Sequence, residues 1–212
     1  MLNLATLVAV SLVGTAATPF SNTVAARDIA PETTFESRFI CTGCGPINSL
    51  PTLAYKLTPE RRALLNTIRF AEGTWKEGHS DGYRVVFGGG TVSTLDRHPN
   101  QVRYSLRYAS AAAGAYQFMP ATWREASIKL GLNDFGPASQ DQAALYLIDR
   151  RNALGLVDAG RITPTLVSKL APEWASLPTY NGSSYYDQPV KTYDNLRLFY
   201  ENNLAMLRQE EG

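Results

Sequence analysis

Histidine and cysteine are scarce in this chain, with two of each in 212 residues. His79 and His98 sit in turn-like contexts without the helical spacing of metal ligands, which argues against a metal site. Cys41 and Cys44 are the sole cysteine pair, and a zinc ribbon needs a second. A redox pair would follow a strand and open a helix, whereas this one lies in a stretch containing glycine and proline. It reads instead as a small local disulfide of an exported protein, closing too short a loop to add much stability. Net charge is lacking too: at +1, no bulk field draws a nucleic acid. There is no G-x-S-x-G elbow of a serine hydrolase, no internal repeat and no low-complexity tract. No metal and no organic cofactor is expected.

A long hydrophobic run is also missing. Ahead of Arg27, the first charged residue, stands MLNLATLVAVSLVGTAATPFSNTVAA, whose apolar stretch covers only residues 4–13. Spanning a bilayer takes roughly 18 or more apolar residues. The stretch has the form of a secretory h-region, with small residues at Val24, Ala25 and Ala26 suited to cleavage, although the basic n-region is absent. Residues 1–26 are therefore expected to be an export signal, with no stable membrane insertion after its removal. Residues 27–57 hold Pro31, Pro46 and Pro51 and no sustained period, and read as a linker or loosely packed arm. Residues 58–212 are enough for one domain around a single core, expected to act as a monomer.

What is present is helix punctuation. Thr58 is a good N-cap, Pro59 suits the first helical position, Leu64, Leu65, Ile68 and Ala71 form a stripe, and Gly73 stops it. DGYRVVFGGGTVSTLD then suggests short strands and turns, with Gly88, Gly89 and Gly90 a turn or bulge instead of a phosphate loop. Pro120 opens a helix that Gly131 ends. SQDQ, residues 139–142, reads as a capping box before Ala143, Ala144, Leu147 and Ile148. Thr163 and Pro164 open another helix carrying Leu166, Val167, Leu170 and Trp174, with a break expected near Pro172, and Pro189 precedes a long amphipathic run through Leu207. One helix, a small β region and then several helices read as an α+β fold. Arginines 97, 103, 107, 124, 150 and 151 make the middle locally basic: a solvated face on the ordinary reading, attraction to an anionic polymer on the other.

Within IRFAEGTW, residues 68–75, one acid stands out of place. Glu72 follows Ile68 by four residues and Leu65 by seven, so it points along the buried stripe in the last helical turn. Partial burial and the negative end of the helix dipole both raise a carboxyl pKa. A glutamate protonated near neutral pH is what a general acid needs to protonate a leaving glycosidic oxygen. The plain alternative is a frayed helix end with Glu72 turned to water.

A second cluster, SAAAGAYQFMPATW at residues 110–123, brings small residues that permit close approach of a ligand. Tyr116 offers a ring face to a sugar, and the Gln117 amide both donates and accepts. Phe118 and Trp123 read as core.

The segments FAEGT, GYRVVFGG, DRHP, SAAAGAYQF, LGLNDFGPASQDQAAL and EWASLP, in this order, resemble the lambda-phage-type endolysins of glycoside hydrolase family 104. The resemblance spans roughly residues 58–207 and implies a lysozyme-like fold, mainly helical with a small β region. It implies a lytic transglycosylase that cleaves the β-1,4 bond between N-acetylmuramic acid and N-acetylglucosamine in peptidoglycan and leaves 1,6-anhydro ends. The family's catalytic glutamate falls on Glu72, and Tyr83, Asp81, Tyr116 and Gln117 are the candidate substrate-binding residues. Two positions depart from the pattern: Arg84 stands where an acid follows the tyrosine, and Ala115 where arginine is common. Asp81 and Asp96 are candidates for the second carboxylate that a hydrolase normally uses, though both sit in turn contexts. A hydrolytic lysozyme and a catalytically silent peptidoglycan-binding protein stay open beside the transglycosylase.

Overall fold

The computed structural model describes residues 53–104 and 109–210. The expected export signal, most of the expected linker, Cys41 and Cys44 lie outside the described residues.

Helix α1, Pro59–Ala71, is built as its punctuation predicts. The Thr58 side chain accepts from the Arg61 N–H at 3.3 Å, and Pro59 occupies the first turn. At its other end Gly73 takes φ +74°, letting the chain turn back. The Gly73 N–H then bonds the Phe70 carbonyl, and the Thr74 N–H the Arg69 carbonyl at 2.8 Å. This pair of bonds is a Schellman motif, and it fixes where Glu72 sits.

Strands β1, Arg103–Tyr104, and β2, Ala109–Ser110, pair antiparallel, Arg103 opposite Ser110. The β region therefore falls later than DGYRVVFGGGTVSTLD suggested. There, residues 80–84 form a 3-10 turn, and only isolated bridges follow, Val85 with Thr91 and Val86 with Ala113. The glycine run is a tight hairpin turn, the Val86 N–H bonding the Gly90 carbonyl at 2.7 Å. Two-residue strands carry too little alternation to announce themselves in sequence.

Helices α2, Pro120–Leu130, α3, Pro137–Arg150, α4, Leu154–Asp158, and α5, Pro164–Leu170, follow, and α6, Tyr193–Glu210, closes the chain. Gly131 ends α2 at φ +65°, and Thr163 caps α5 by accepting from the Leu166 N–H. Trp174 lies beyond the end of α5. Helix α6 packs along α1 through a buried Asn66–Asn203 bond of 2.8 Å and stacked Phe70 and Phe199 rings, 4.5 Å between centroids. Leu65, Ile68, Leu145, Ile148, Leu170 and Leu196 are fully buried in the shared core.

The expected capping box is not one. Helix α3 starts three residues earlier, with Gly136 as N-cap and Pro137 in its first turn. No side chain caps it; Asp134 instead shapes the turn leading in, accepting from the Gly136 N–H at 2.8 Å and the Ser139 hydroxyl at 2.6 Å. Gln140, Asp141 and Gln142 are buried, and the two glutamines hold main chain from other parts of the fold. Gln142 exchanges two hydrogen bonds with the backbone of Tyr55, so the packed region reaches back past Thr58. Gln140 accepts from the Ala115 N–H and donates to the carbonyls of Phe135 and Tyr83.

That last bond set makes Gly114 demanding. It sits at φ +82°, and a Cβ there would stand 2.3 Å from Gln140 Oε1. Gly131 also has positive φ, but nothing lies within 4 Å of its would-be Cβ. Gly131→Ala is expected to cost about 1 kcal/mol; Gly114→Ala adds a clash with a committed amide and is expected to cost at least about 3 kcal/mol. Urea denaturation of the two variants checks this, and equal losses would contradict it.

Candidate active site

Glu72 caps the C-terminus of α1 in helical conformation, φ −74° and ψ −4°, its N–H still bonded to the Ile68 carbonyl at 2.9 Å. The helix end does not fray. The carboxyl is half-buried, and its Oε1 accepts from the Ser176 hydroxyl at 2.6 Å. Burial pushes the carboxyl up from its ordinary 4.5 to about 7, against the opposing pull of the hydroxyl and main chain of Ser176. Glu60 and Glu125, which pair with Arg208 and Arg150, are displaced the other way. At neutral pH Glu72 is thus close to half protonated, able both to give a proton and to take one back.

The loop after Glu72 is clamped from beneath. Thr74 is completely buried, and its hydroxyl donates to the Ala115 carbonyl at 2.5 Å. Arg69 is buried without a carboxylate among the described residues; it donates to the carbonyls of Trp75 and His79 and lies against the rings of Trp75 and Tyr83, 5.0 and 4.7 Å from their centroids. Trp174 Nε1 donates to the Tyr116 carbonyl at 3.2 Å. The main chain of residues 114–116 is therefore held by Thr74, Gln140 and Trp174 together.

Burial corrects the expected ring face of Tyr116 and takes Tyr83, the other candidate tyrosine, out of reach of a sugar as well. Tyr116 is 1% exposed and Tyr83 6%, so neither offers a ring face to a sugar. Both phenols donate to Asp141 Oδ1, at 2.5 and 2.8 Å, and Asp141 Oδ2 pairs with Arg62 at 2.7 Å. Burial and the Asp141 carboxylate raise both phenols, which stay protonated donors.

Gln117 stands at φ +47°, and its amide nitrogen donates to the carbonyls of Gly114 and Val85, leaving only Oε1 for a ligand. Asp81 is exposed and lines a groove of about 660 Å³ with Lys76, Glu77, His79 and Arg84. Asp96 is exposed in a bend. Neither aspartate is joined to Glu72 by any hydrogen bond. His98 bonds locally, its Nε2 to the Phe118 carbonyl and its Nδ1 to the Asn100 N–H. Among the described residues no three His, Cys, Asp or Glu side chains gather as a metal-binding group.

The two departures from the family pattern have structural uses. Arg84 Nη1 donates to the Ser93 and Val92 carbonyls, at 2.6 and 3.3 Å. Ala115 is fully buried, leaving no room for an arginine. Sequence reasoning missed Ser176 and Asp141. Ser176 stands in EWASLP, a segment that carried the resemblance but gave the serine no chemical role, and Asp141 was absorbed into the supposed capping box.

The endolysin family model matches residues 62–207, more than half of the chain. The chain belongs to the endolysin family. It is 34% identical over 127 residues to the endolysin of Escherichia phage lambda, covering 58% of this chain and 80% of that one. Over 69 residues it is 44% identical to the endolysin of Escherichia phage P2, covering 32% and 41%. Bacteriophage lambda lysozyme, solved in complex with a chitohexasaccharide, superposes with a TM-score of 0.63 at 30% identity, over 70% of this chain and 96% of the other. The fold is therefore lambda-lysozyme-like, and this endolysin-family chain is a muralytic enzyme, a peptidoglycan glycosidase.

The raised Glu72 pKa has a stability consequence. Because the folded state holds this proton more tightly than the unfolded chain, Glu72 adds stability at low pH that is lost as pH rises from about 4.5 to about 7. Relative to Glu72→Gln, the parent protein is expected to lose about 3 kcal/mol across that window. Denaturation curves at pH 4 and pH 8 check it; parallel pH profiles for the two proteins would contradict it.

Proposed function

We propose that the protein is a lytic transglycosylase that cuts the β-1,4 bond between N-acetylmuramic acid and N-acetylglucosamine, with Glu72 as acid and then base. The observation that carries this reading is the isolation of Glu72: burial and Ser176 account for its displacement, and no other charged group among the described residues perturbs it. A second carboxylate at the separation of a retaining hydrolase, about 5 Å, would couple to it strongly.

One carboxyl suffices for intramolecular transfer. Protonated Glu72 gives its proton to the glycosidic oxygen as the C1–O bond breaks, freeing the leaving sugar as an alcohol. The muramic 6-hydroxyl then attacks C1, and its proton goes to the Glu72 carboxylate. A C1–O6 bond replaces the C1–O4 bond, no water is consumed, and Glu72 ends protonated. Between the two transfers the Ser176 hydroxyl stabilises the ionised carboxylate. A pKa of about 7 serves both halves.

On this reading the strand lies across the end of α1, beside the groove that holds Asp81, and Gln117 Oε1 is available to a sugar amide or hydroxyl. The chitohexasaccharide held by lambda lysozyme supports a glycan strand as the ligand. Residues 1–26 would deliver the enzyme, as a monomer, to a polymer outside the membrane. Among the described residues no helix is long and apolar enough to cross one.

Mass analysis of peptidoglycan digested in ¹⁸O-labelled water tests the reaction. The expected products are unlabelled anhydromuramic ends; labelled reducing ends would mean hydrolysis. Glu72→Gln is expected to lose at least about a thousandfold in activity, and a variant as active as the parent would remove Glu72 from the chemistry.

A further inference from the structure

Of the arginines that make the middle of the sequence basic, Arg150 and Arg151 are tied to Glu125 and Glu173 by ion pairs of 2.5 to 2.7 Å. Arg97 and Arg103 form no ion pair among the described residues. Both are exposed, and both line a polar groove of about 520 Å³ together with Thr91, Ser93, Thr94 and Gln101. A Cβ at Gly90 would stand 3.6 Å from Arg103 Nη1, which puts that guanidinium beside the hairpin turn at Gly88–Gly90. Thr91 lines this groove and also the neighbouring one, whose wall begins at Lys76, four residues beyond Glu72. In the groove of Lys76 the acids Glu77 and Asp81 are balanced by Lys76 and Arg84, whereas the lining of the other holds Arg97 and Arg103 and no acid, so of the two only that one is cationic.

From this placement we infer that the groove of Arg97 and Arg103 holds the carboxylates of the peptide branches on the peptidoglycan strand. The enzyme then binds peptide-bearing strands in preference to bare glycan. The inference rests on the glycan-strand reading above. A strand seated at Glu72 carries its branches on muramic lactyl groups, and those branches are its main source of negative charge. Two guanidiniums on separate segments match carboxylates in fork geometry, while the hydroxyls and amide of Thr91, Ser93, Thr94 and Gln101 match peptide groups between them. Arg84, through its bonds to the Val92 and Ser93 carbonyls, fixes the segment that supplies part of the groove. His98 adds no charge near neutral pH, because burial lowers its pKa.

The test is binding, measured in the Glu72→Gln protein so that strands are not consumed. Affinity is compared for peptide-bearing strands and for strands stripped by an amidase, with Arg97→Gln/Arg103→Gln added or not. The expected result is a loss of about tenfold on peptide-bearing strands, as for two partly solvated charge pairs, and none on stripped strands. The preference is expected to shrink with added salt, and Arg97→Lys/Arg103→Lys to retain most of it. No loss, or the same loss on both substrates, would overturn the inference. So would a glycerol phosphate polymer whose binding the double variant abolishes while strand binding stays unmoved. Strand cleavage by Glu72→Gln would instead contradict the acid–base assignment.

Discussion

The bond from the Ser176 hydroxyl to Glu72 Oε1 joins residues 104 positions apart, and the protonation of Glu72 hangs on the balance it strikes with burial. Withdrawal from water favours the neutral acid; the hydroxyl favours the carboxylate. Burial alone would leave a poor base, and full hydration a poor acid. The two effects leave the group near neutrality, where one side chain can serve both halves of a glycosyl transfer.

Holding that balance takes rigid main chain on three sides. The Schellman turn at Gly73 ends α1 and sets the direction of the Glu72 side chain. Thr74 ties the next turn to Ala115, and Gln140 ties Ala115 to α3. Beneath them Asp141, Arg62, Tyr83 and Tyr116 form a buried polar group in which the carboxylate's bonds are satisfied. Such a network costs desolvation and repays it only when every member is paired. Its return here is placement: the residues that wall the site have nowhere else to go.

Local signals made much of this legible. Thr58 with Pro59, Pro120 with Gly131, and Thr163 with Pro164 mark real helix ends because caps act within a few residues. The phase of Glu72 on the apolar stripe pointed to partial burial, and the ordered motifs pointed to the family. What stayed hidden depends on long-range packing. Ser176 has no reason to be noticed until the fold brings it to Glu72. Tyr116 looks like a sugar platform because residue type does not tell which way a ring faces. Gln140 and Asp141 looked like a cap because a polar run before an apolar one normally is; here the helix has already begun at Pro137 and both lie inside it.

Direct titration of Glu72 tests the central claim most closely. With the side-chain carboxyl labelled with ¹³C, its chemical shift followed against pH reports the group itself and not the enzyme's activity. The account predicts an apparent pKa near 7 in the parent protein and a higher value in Ser176→Ala, where the bond favouring the carboxylate is gone. A value below about 5, the range of a solvated glutamate, or a fall on removing Ser176, would contradict it.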